Sequence, residues 1–225
     1  MSALDVFDRL LQGNFECGLE YEFWPSDKSS SKKLLILLHD AGDSPIDTHF
    51  FPSALGLESL NVLFLRAPDV LGKGFSWYGA AGMRRASVER SRGQVFGVLD
   101  AIRASGVLAR DVFLCGIFEG CFVCLDVALR YPHVLGGIVG VSGGVALEEE
   151  YPAALSAVAK SQRLWISHGY RDDVLPFDLA QASVERLRAM GLTIEWNPLD
   201  KTHSIGESDE MALIYGFLST QIDAN

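Results

Sequence analysis

Apolar and polar positions alternate in blocks along the chain, and the blocks have two sizes. Leu34–Leu38, Val62–Leu65, Val112–Cys115 and Leu135–Val141 are short, nearly unbroken apolar runs, the pattern of strands buried on both faces. Arg163–Ser167 and Leu192–Trp196 are further strand-length runs, and Cys17–Trp24 alternates as a half-buried first strand should. Between them lie longer segments of helical period. Ser87–Ser105 carries Val88, Val95, Leu99 and Ile102 on one stripe, with Glu89, Arg90 and Arg92 off it. Phe177–Met190 turns Ala180, Val184 and Leu187 inward and is closed by Gly191. Ala3–Leu11, Cys121–Leu129, Leu147–Ala159 and Ser208–Gln221 complete the predicted helices, and Gly72–Gly82 reads as a loop rich in glycine and aromatic residues. Strands alternating with helices, several of them apolar throughout, specify an α/β chain with a mostly parallel sheet covered on both faces. No repeat or linker divides the chain, so residues 1–225 are expected to form one domain, with 1–13 as an N-terminal helical extension.

The stretch Asp111–Leu129 organises the rest. An apolar strand runs into Gly116-Ile117-Phe118-Glu119-Gly120 and then into an apolar helix. Strand, sharp turn and helix, with glycines two residues either side of a central position, form the frame of a G-x-S-x-G nucleophile elbow. The central residue here is Phe118, which has no group able to attack a carbonyl. An elbow residue sits at positive φ, which bulky side chains avoid at a cost of about 1–3 kcal/mol. Either the turn relaxes, or Phe118 packs well enough to offset that strain.

Composition narrows the possibilities. Of 225 residues, 48% are apolar, enough for a sizeable core, and the formal charge of −10 argues against nucleic acid and anionic membrane surfaces as partners. No apolar run approaches the ~20 residues of a membrane span. The amphipathic start MSALDVFDRLLQG is not expected to be a secretory leader, nor Met1-Ser2 a myristoylation start. Three of the four cysteines, Cys115, Cys121 and Cys124, fall in the central strand and helix as small hydrophobes, so neither a disulfide framework nor a metal site is expected. A reducing, cytoplasmic setting is the expectation. Without a G-x-G-x-x-G loop after the first buried strand, no nucleotide or other cofactor is expected.

The loops after the strands carry, in chain order, His39–Gly42, Phe118-Glu119, Asp172 and His203. With their flanking motifs they resemble the carboxylesterase and acyl-protein thioesterase family, the phospholipase/carboxylesterase group of α/β-hydrolases. Leu37-Leu38-His39-Asp40-Ala41-Gly42-Asp43 resembles the family's L-L-H-G-x-G-D, Arg66-Ala67-Pro68 its R-A-P, and Trp77-Tyr78 its W-[YF]. Val141-Ser142-Gly143 resembles its S-G after the sixth strand, His168–Pro176 its H-G-x-x-D-x-V-[VL]-P, and His203-Ser204 its G-H-[ST], with Thr202 in place of glycine. The resemblance spans roughly Leu34 to Leu218.

What the resemblance implies is an α/β-hydrolase fold and an ester-hydrolysing ancestry. Asp172 would orient His203, His203 would act as base, and the backbone N–H groups of Ala41 and Glu119 would hold the oxyanion. Trp77 and Val174 would contact a small acyl or aromatic ester-like ligand. Each residue also has a bland reading: Asp172 as a turn carboxylate, His203 as a loop histidine, and the aromatic loop as packing on the sheet.

The departures concentrate at one place: Phe118 for serine, Glu119 and Cys121 after it, and Asp40 for the first glycine of the loop. A Glu119 carboxylate facing the site would oppose a developing oxyanion. The expectation is therefore a hydrolase-like protein with a degenerate triad, impaired toward esters and retaining a ligand pocket. The alternative is an active hydrolase that uses another nucleophile, or water activated by His203 with Asp172. Ser142 lies in a literal G-x-S-x-G, but the next stretch, Val145–Pro152, is acidic and proline-ended rather than a buried helix. Cys121 is one turn into its helix, Glu119 lacks a supporting motif, and Ser76 reads as a loop hydroxyl.

Overall fold

A computed structural model describes residues 3–205 and 208–224; Met1, Ser2 and the chain's last residue, which the leader and domain expectations include, lie outside the described residues. The nine strands among the described residues are β1 (Tyr21–Trp24), β2 (Leu34–Leu38), β3 (Asn61–Leu65), β4 (Asp69–Leu71), β5 (Gly74–Ser76), β6 (Val112–Ile117), β7 (Gly137–Val141), β8 (Leu164–Gly169) and β9 (Ile194–Leu199). The α-helices are α1 (Ala3–Leu11), α2 (Phe50–Leu55), α3 (Arg85–Ala104), α4 (Glu119–Arg130), α5 (Tyr151–Ala154), α6 (Phe177–Ala189) and α7 (Ser208–Ala224).

Seven strands form one sheet in the order β1-β3-β2-β6-β7-β8-β9. β1 runs antiparallel to β3, and every other pairing in this sheet is parallel. The fold is the α/β-hydrolase sheet that the alternating blocks predict. Every residue of β2, β3, β6, β7 and β8 is buried, because helices cover both faces. One core layer joins Ile36, Leu38, Leu63 and Leu114 to α1, α3 and α4; the other joins Leu35, Leu37, Phe64, Phe113 and Val139 to α2 and α7. The alternation of β-strand side chains sends neighbouring residues of one strand into opposite layers. The three core cysteines are fully buried, and burial pushes their thiols above the ordinary range.

Three stretches depart from the expectation. Within Gly72–Gly82, residues 74–76 pair with 69–71 as a β4–β5 hairpin rather than remaining a loop. The predicted helix Leu147–Ala159 is instead a single 3₁₀ turn, Glu148–Glu150, and the four residues of α5. Leu147 enters it at φ +50°, a conformation no helix interior tolerates, and Leu155 leaves in extended geometry. Cys17–Trp24 contributes only Tyr21–Trp24 to the sheet.

Two glycines make the centre possible. A Cβ on Gly116 would overlap the Gly120 carbonyl oxygen, and one on Gly120 would overlap that of Leu38. Glycine at both positions lets α4 start directly over the ends of β6 and β2, and that contact sets where residue 118 points.

Candidate functional site

The site sits beyond the carboxyl ends of β2, β6 and β8, where ligands bind in open α/β sheets. Phe118 occupies the turn between β6 and α4 with φ +50° and ψ −108°. Of the two outcomes open for this residue, the turn has kept its strained shape. The Phe118 N–H donates to the Val141 carbonyl at 2.9 Å, and its own carbonyl accepts from the Cys121 N–H at 3.0 Å, so the strain is held from both sides. The Phe118 ring stacks on the His203 imidazole, with centroids 4.0 Å apart and planes inclined by 26°. That contact, added to the packing of Phe118 against the Val141 and Ile117 layer, offsets the strain.

The pair expected at Asp172 and His203 is brought together. His203 Nδ1 meets the Asp172 carboxylate at 2.9 and 3.1 Å. A carboxylate only accepts, so the proton resides on Nδ1. Burial alone would raise the Asp172 carboxyl, but the Leu175 N–H, His203 and the Val174 N–H outweigh it and hold the group below its usual range. The Val174 and Leu175 N–H groups donate to the same carboxylate oxygen at 3.0 and 2.9 Å. One side chain therefore serves both as a turn carboxylate and as the partner of His203.

The loop bearing His203 is anchored by a pair that the sequence did not reveal. Lys201 Nζ donates to Glu210 Oε1 at 2.6 Å and to the Ser204 carbonyl at 2.9 Å, and Ser167 Oγ donates to the same Glu210 oxygen at 2.5 Å. Lys201 and Glu210 are 2% and 1% exposed. Nothing in the spacing of Lys201 and Glu210 marks them as partners across the turn from β9 to α7.

The Glu119 carboxylate points toward Ser76 and Trp77. Its carboxylate accepts from the Trp77 N–H at 2.7 Å and from Ser76 Oγ at 3.0 Å, pinning the end of β5 beneath the elbow. Desolvation raises its pKa, and those two donors only partly offset that. Ser76 is thus a loop hydroxyl that clamps, also accepting from the Tyr78 and Gly79 N–H groups. Trp77, expected to line a ligand pocket, is fully buried, and its indole N–H donates to the His39 carbonyl at 3.0 Å. In this structure Trp77 supports the His39 loop and walls no open space. Val174, the other expected contact, is 68% exposed at the rim.

The two backbone N–H groups expected at an oxyanion hole differ in state. That of Ala41, an exposed residue, has no partner among the described residues. That of Glu119 donates to Asp40 Oδ1 at 3.0 Å. His39 beside it is structural. The Ala67 N–H donates to its Nε2 at 3.1 Å while Nδ1 lies 2.6 Å from the Asp40 carbonyl, which fixes the neutral tautomer. Burial lowers its pKa in the same sense.

Ser142 and Cys121, two further nucleophile candidates, are buried. Ser142 has φ +48° and is 1% exposed, with no partner for its Oγ among the described residues. Cys121 is sealed against Gly140 and Gly143, and burial pushes its thiol up to about 12. Clefts of 270 to 390 Å³ open elsewhere, between Trp24 and Leu57 and beside Tyr78 and Arg90, and neither is lined by Phe118, Asp172 or His203. No group of histidine, cysteine and carboxylate side chains among the described residues is arranged to hold a metal ion, and no helix among them is long and apolar enough to cross a membrane.

Comparison with known proteins agrees with this fold. The chain is 30% identical over 203 residues to acyl-protein thioesterase 1 of Schizosaccharomyces pombe, covering 84% of this chain and 90% of that protein. The crystal structure of Arabidopsis thaliana SOBER1, a carboxylesterase, superposes with a TM-score of 0.77 at 25% identity, covering 84% of this chain and 99% of that one. A protein of Oryza sativa subsp. japonica named a probable inactive carboxylesterase is 24% identical over 200 residues, covering 80% of this chain and 81% of its own. The phospholipase/carboxylesterase family model matches residues 20–222, nearly the whole chain, so the protein belongs to the phospholipase/carboxylesterase family.

Proposed function

We propose that this protein is a family member in which ester hydrolysis is absent or very weak, and whose remaining role is to bind a small acyl or aromatic ester-like ligand. The observation that carries the reading is the stack of Phe118 on His203. At the elbow, where a serine hydroxyl would share the imidazole, a benzyl group covers its face. The proton-handling pair His203 and Asp172 then has no hydroxyl at residue 118 to activate. Losing one member of such a triad leaves about 10³–10⁴-fold acceleration over water, all from the oxyanion hole and binding. The rice relative named inactive supports the view that this family includes proteins that have given up hydrolysis.

Ligand binding is supported by the rim. Phe122 and Leu175 converge over Gly144, and Val174 stands exposed beside them. These apolar side chains suit an acyl chain or aromatic ring better than a charged group. The formal charge of −10 disfavours nucleic acid and anionic lipid surfaces as partners.

The second reading, an active hydrolase in which His203 and Asp172 activate water or a non-standard nucleophile, draws on the contact between those two residues. Treating the protein with a serine-directed fluorophosphonate and measuring turnover of p-nitrophenyl acetate separates the two. The proposal expects neither covalent labelling nor turnover above buffer. Labelling at any hydroxyl, or turnover that follows His203, supports the second reading.

A further inference from the structure

We propose that Asp40 is a built-in plug of the anion-binding hole, a second and independent block that would persist if residue 118 were restored to serine. The inference rests on the reading of Phe118 and Glu119 as the elbow, and extends it to a residue with no role in that reading.

The geometry is specific. The Glu119 N–H is the first backbone donor of α4 and, on the reading of Phe118 and Glu119 as the elbow, the donor that would meet charge on a bound carbonyl oxygen. Asp40 Oδ1 accepts from it at 3.0 Å. The donor that should meet a transient oxyanion is therefore occupied by a permanent one. A carboxylate beside the first amide of a helix is also well placed electrostatically, since its charge lies against the positive end of the helix dipole. A neutral ester oxygen cannot displace it on equal terms, because a hydrogen bond to an ionised acceptor is about twice as strong as one to a neutral acceptor.

Asp40 is able to act this way because of where its loop is tied. Its carbonyl is engaged by His39 Nδ1 at 2.6 Å, and the next loop bonds, Gly42 N–H to the Phe75 carbonyl and Phe75 N–H to that of Asp43, fix the loop to β5. Glycine at residue 40 would leave the same backbone path with an empty hole. Ala41, the other expected donor, has its N–H unengaged among the described residues. The plug thus takes one donor of the two.

The consequence concerns ligand choice as well as chemistry. With a fixed carboxylate at the hole, the site repels carboxylate and oxyanion ligands and admits a neutral ester only by moving Asp40 aside.

The test uses the full chain in four forms: Phe118→Ser, Phe118→Ser with Asp40→Ala, Phe118→Ser with Asp40→Asn, and Asp40→Ala alone. The rate of fluorophosphonate labelling at residue 118 reads hydroxyl and hole together. The plug predicts slow labelling of Phe118→Ser, and at least about 10²-fold faster labelling once Asp40→Ala is added, the usual worth of one oxyanion-hole donor. Asn at residue 40 keeps an acceptor oxygen on the amide, so that form should stay within about tenfold of Phe118→Ser. Rapid labelling of Phe118→Ser, with Asp40→Ala adding less than about threefold, overturns the plug while leaving the loss of the serine intact as the cause of inactivity. If no form labels, amide hydrogen exchange decides. Protection of the Glu119 N–H that is lost in Asp40→Ala, with neighbouring amides unchanged, supports the plug, and equal exchange in both forms overturns it. Turnover by the unaltered protein that depends on His203 would sink the functional reading instead, and leaves the Glu119 exchange result to stand or fall separately.

Discussion

The Phe118 ring lies 4.0 Å from the His203 imidazole, nearly parallel to it, while His203 Nδ1 remains 2.9 Å from Asp172. Asp172 and His203 are in contact, and the residue stacked on the imidazole is aromatic. Packing explains how such a residue persists at a strained turn: its ring covers one face of the imidazole.

That balance of strain and packing has a measurable sign. At most positions glycine is less stable than alanine, by roughly 0.5–1 kcal/mol within regular structure. At residue 118, with φ +50° and ψ −108°, alanine keeps the strain and loses the ring, whereas glycine loses the ring and releases about 1–3 kcal/mol of strain. Urea denaturation should therefore rank Phe118→Gly above Phe118→Ala. The reverse order would mean that the turn relaxes in solution.

The buried Glu119 carboxylate ties stability to pH. Its folded pKa is raised, first by desolvation, above the ordinary value of 4.5. An acid that holds its proton more tightly when folded weakens the folded state as pH rises from that ordinary value through the raised one. Glu119→Gln, which keeps an acceptor for the Trp77 N–H, should flatten this part of the stability profile. Chemical denaturation at a series of pH values checks it; an unchanged slope shows that Glu119 is solvated rather than clamped by Ser76 and Trp77.

The Lys201–Glu210 pair behind the His203 loop should respond asymmetrically. Lys201→Met alone strands a buried carboxylate and should cost about 3–5 kcal/mol, whereas replacing both residues by apolar ones should recover most of it. Thermal or urea unfolding of the single and double variants measures this. A mild effect of Lys201→Met would show that Glu210 reaches water. Loss of the Phe118–His203 ring contact in Lys201→Met, seen as a change in the His203 proton shifts, would show that this pair positions the imidazole.

Much of this was legible in the sequence, for a physical reason. β2, β3 and β6 are covered on both faces, so their apolar runs are unbroken, and Asp172 and His203 meet because each follows a strand of the same parallel sheet. The β4–β5 hairpin was not legible, because three-residue strands around Gly72 and Gly74 carry too little pattern. The helix expected over Leu147–Ala159 failed at Leu147, where backbone geometry overrode composition. At the site, the identity of residue 118 was plain, but the direction of the Glu119 carboxylate depends on where the hairpin puts Ser76 and Trp77, and Asp40 reaches the Glu119 N–H only through the close approach of β2 to the elbow. Side-chain direction across a contact between distant segments has no local sequence signal.

Everything proposed for the site depends on the Asp172–His203 pair having nothing to activate. The ratio of kcat/KM for p-nitrophenyl butyrate between the unaltered protein and His203→Ala tests this most directly, because it isolates the contribution of the imidazole from non-specific surface hydrolysis. The predicted ratio is near one, with both rates close to buffer. Turnover well above buffer that collapses when His203 is replaced would contradict it.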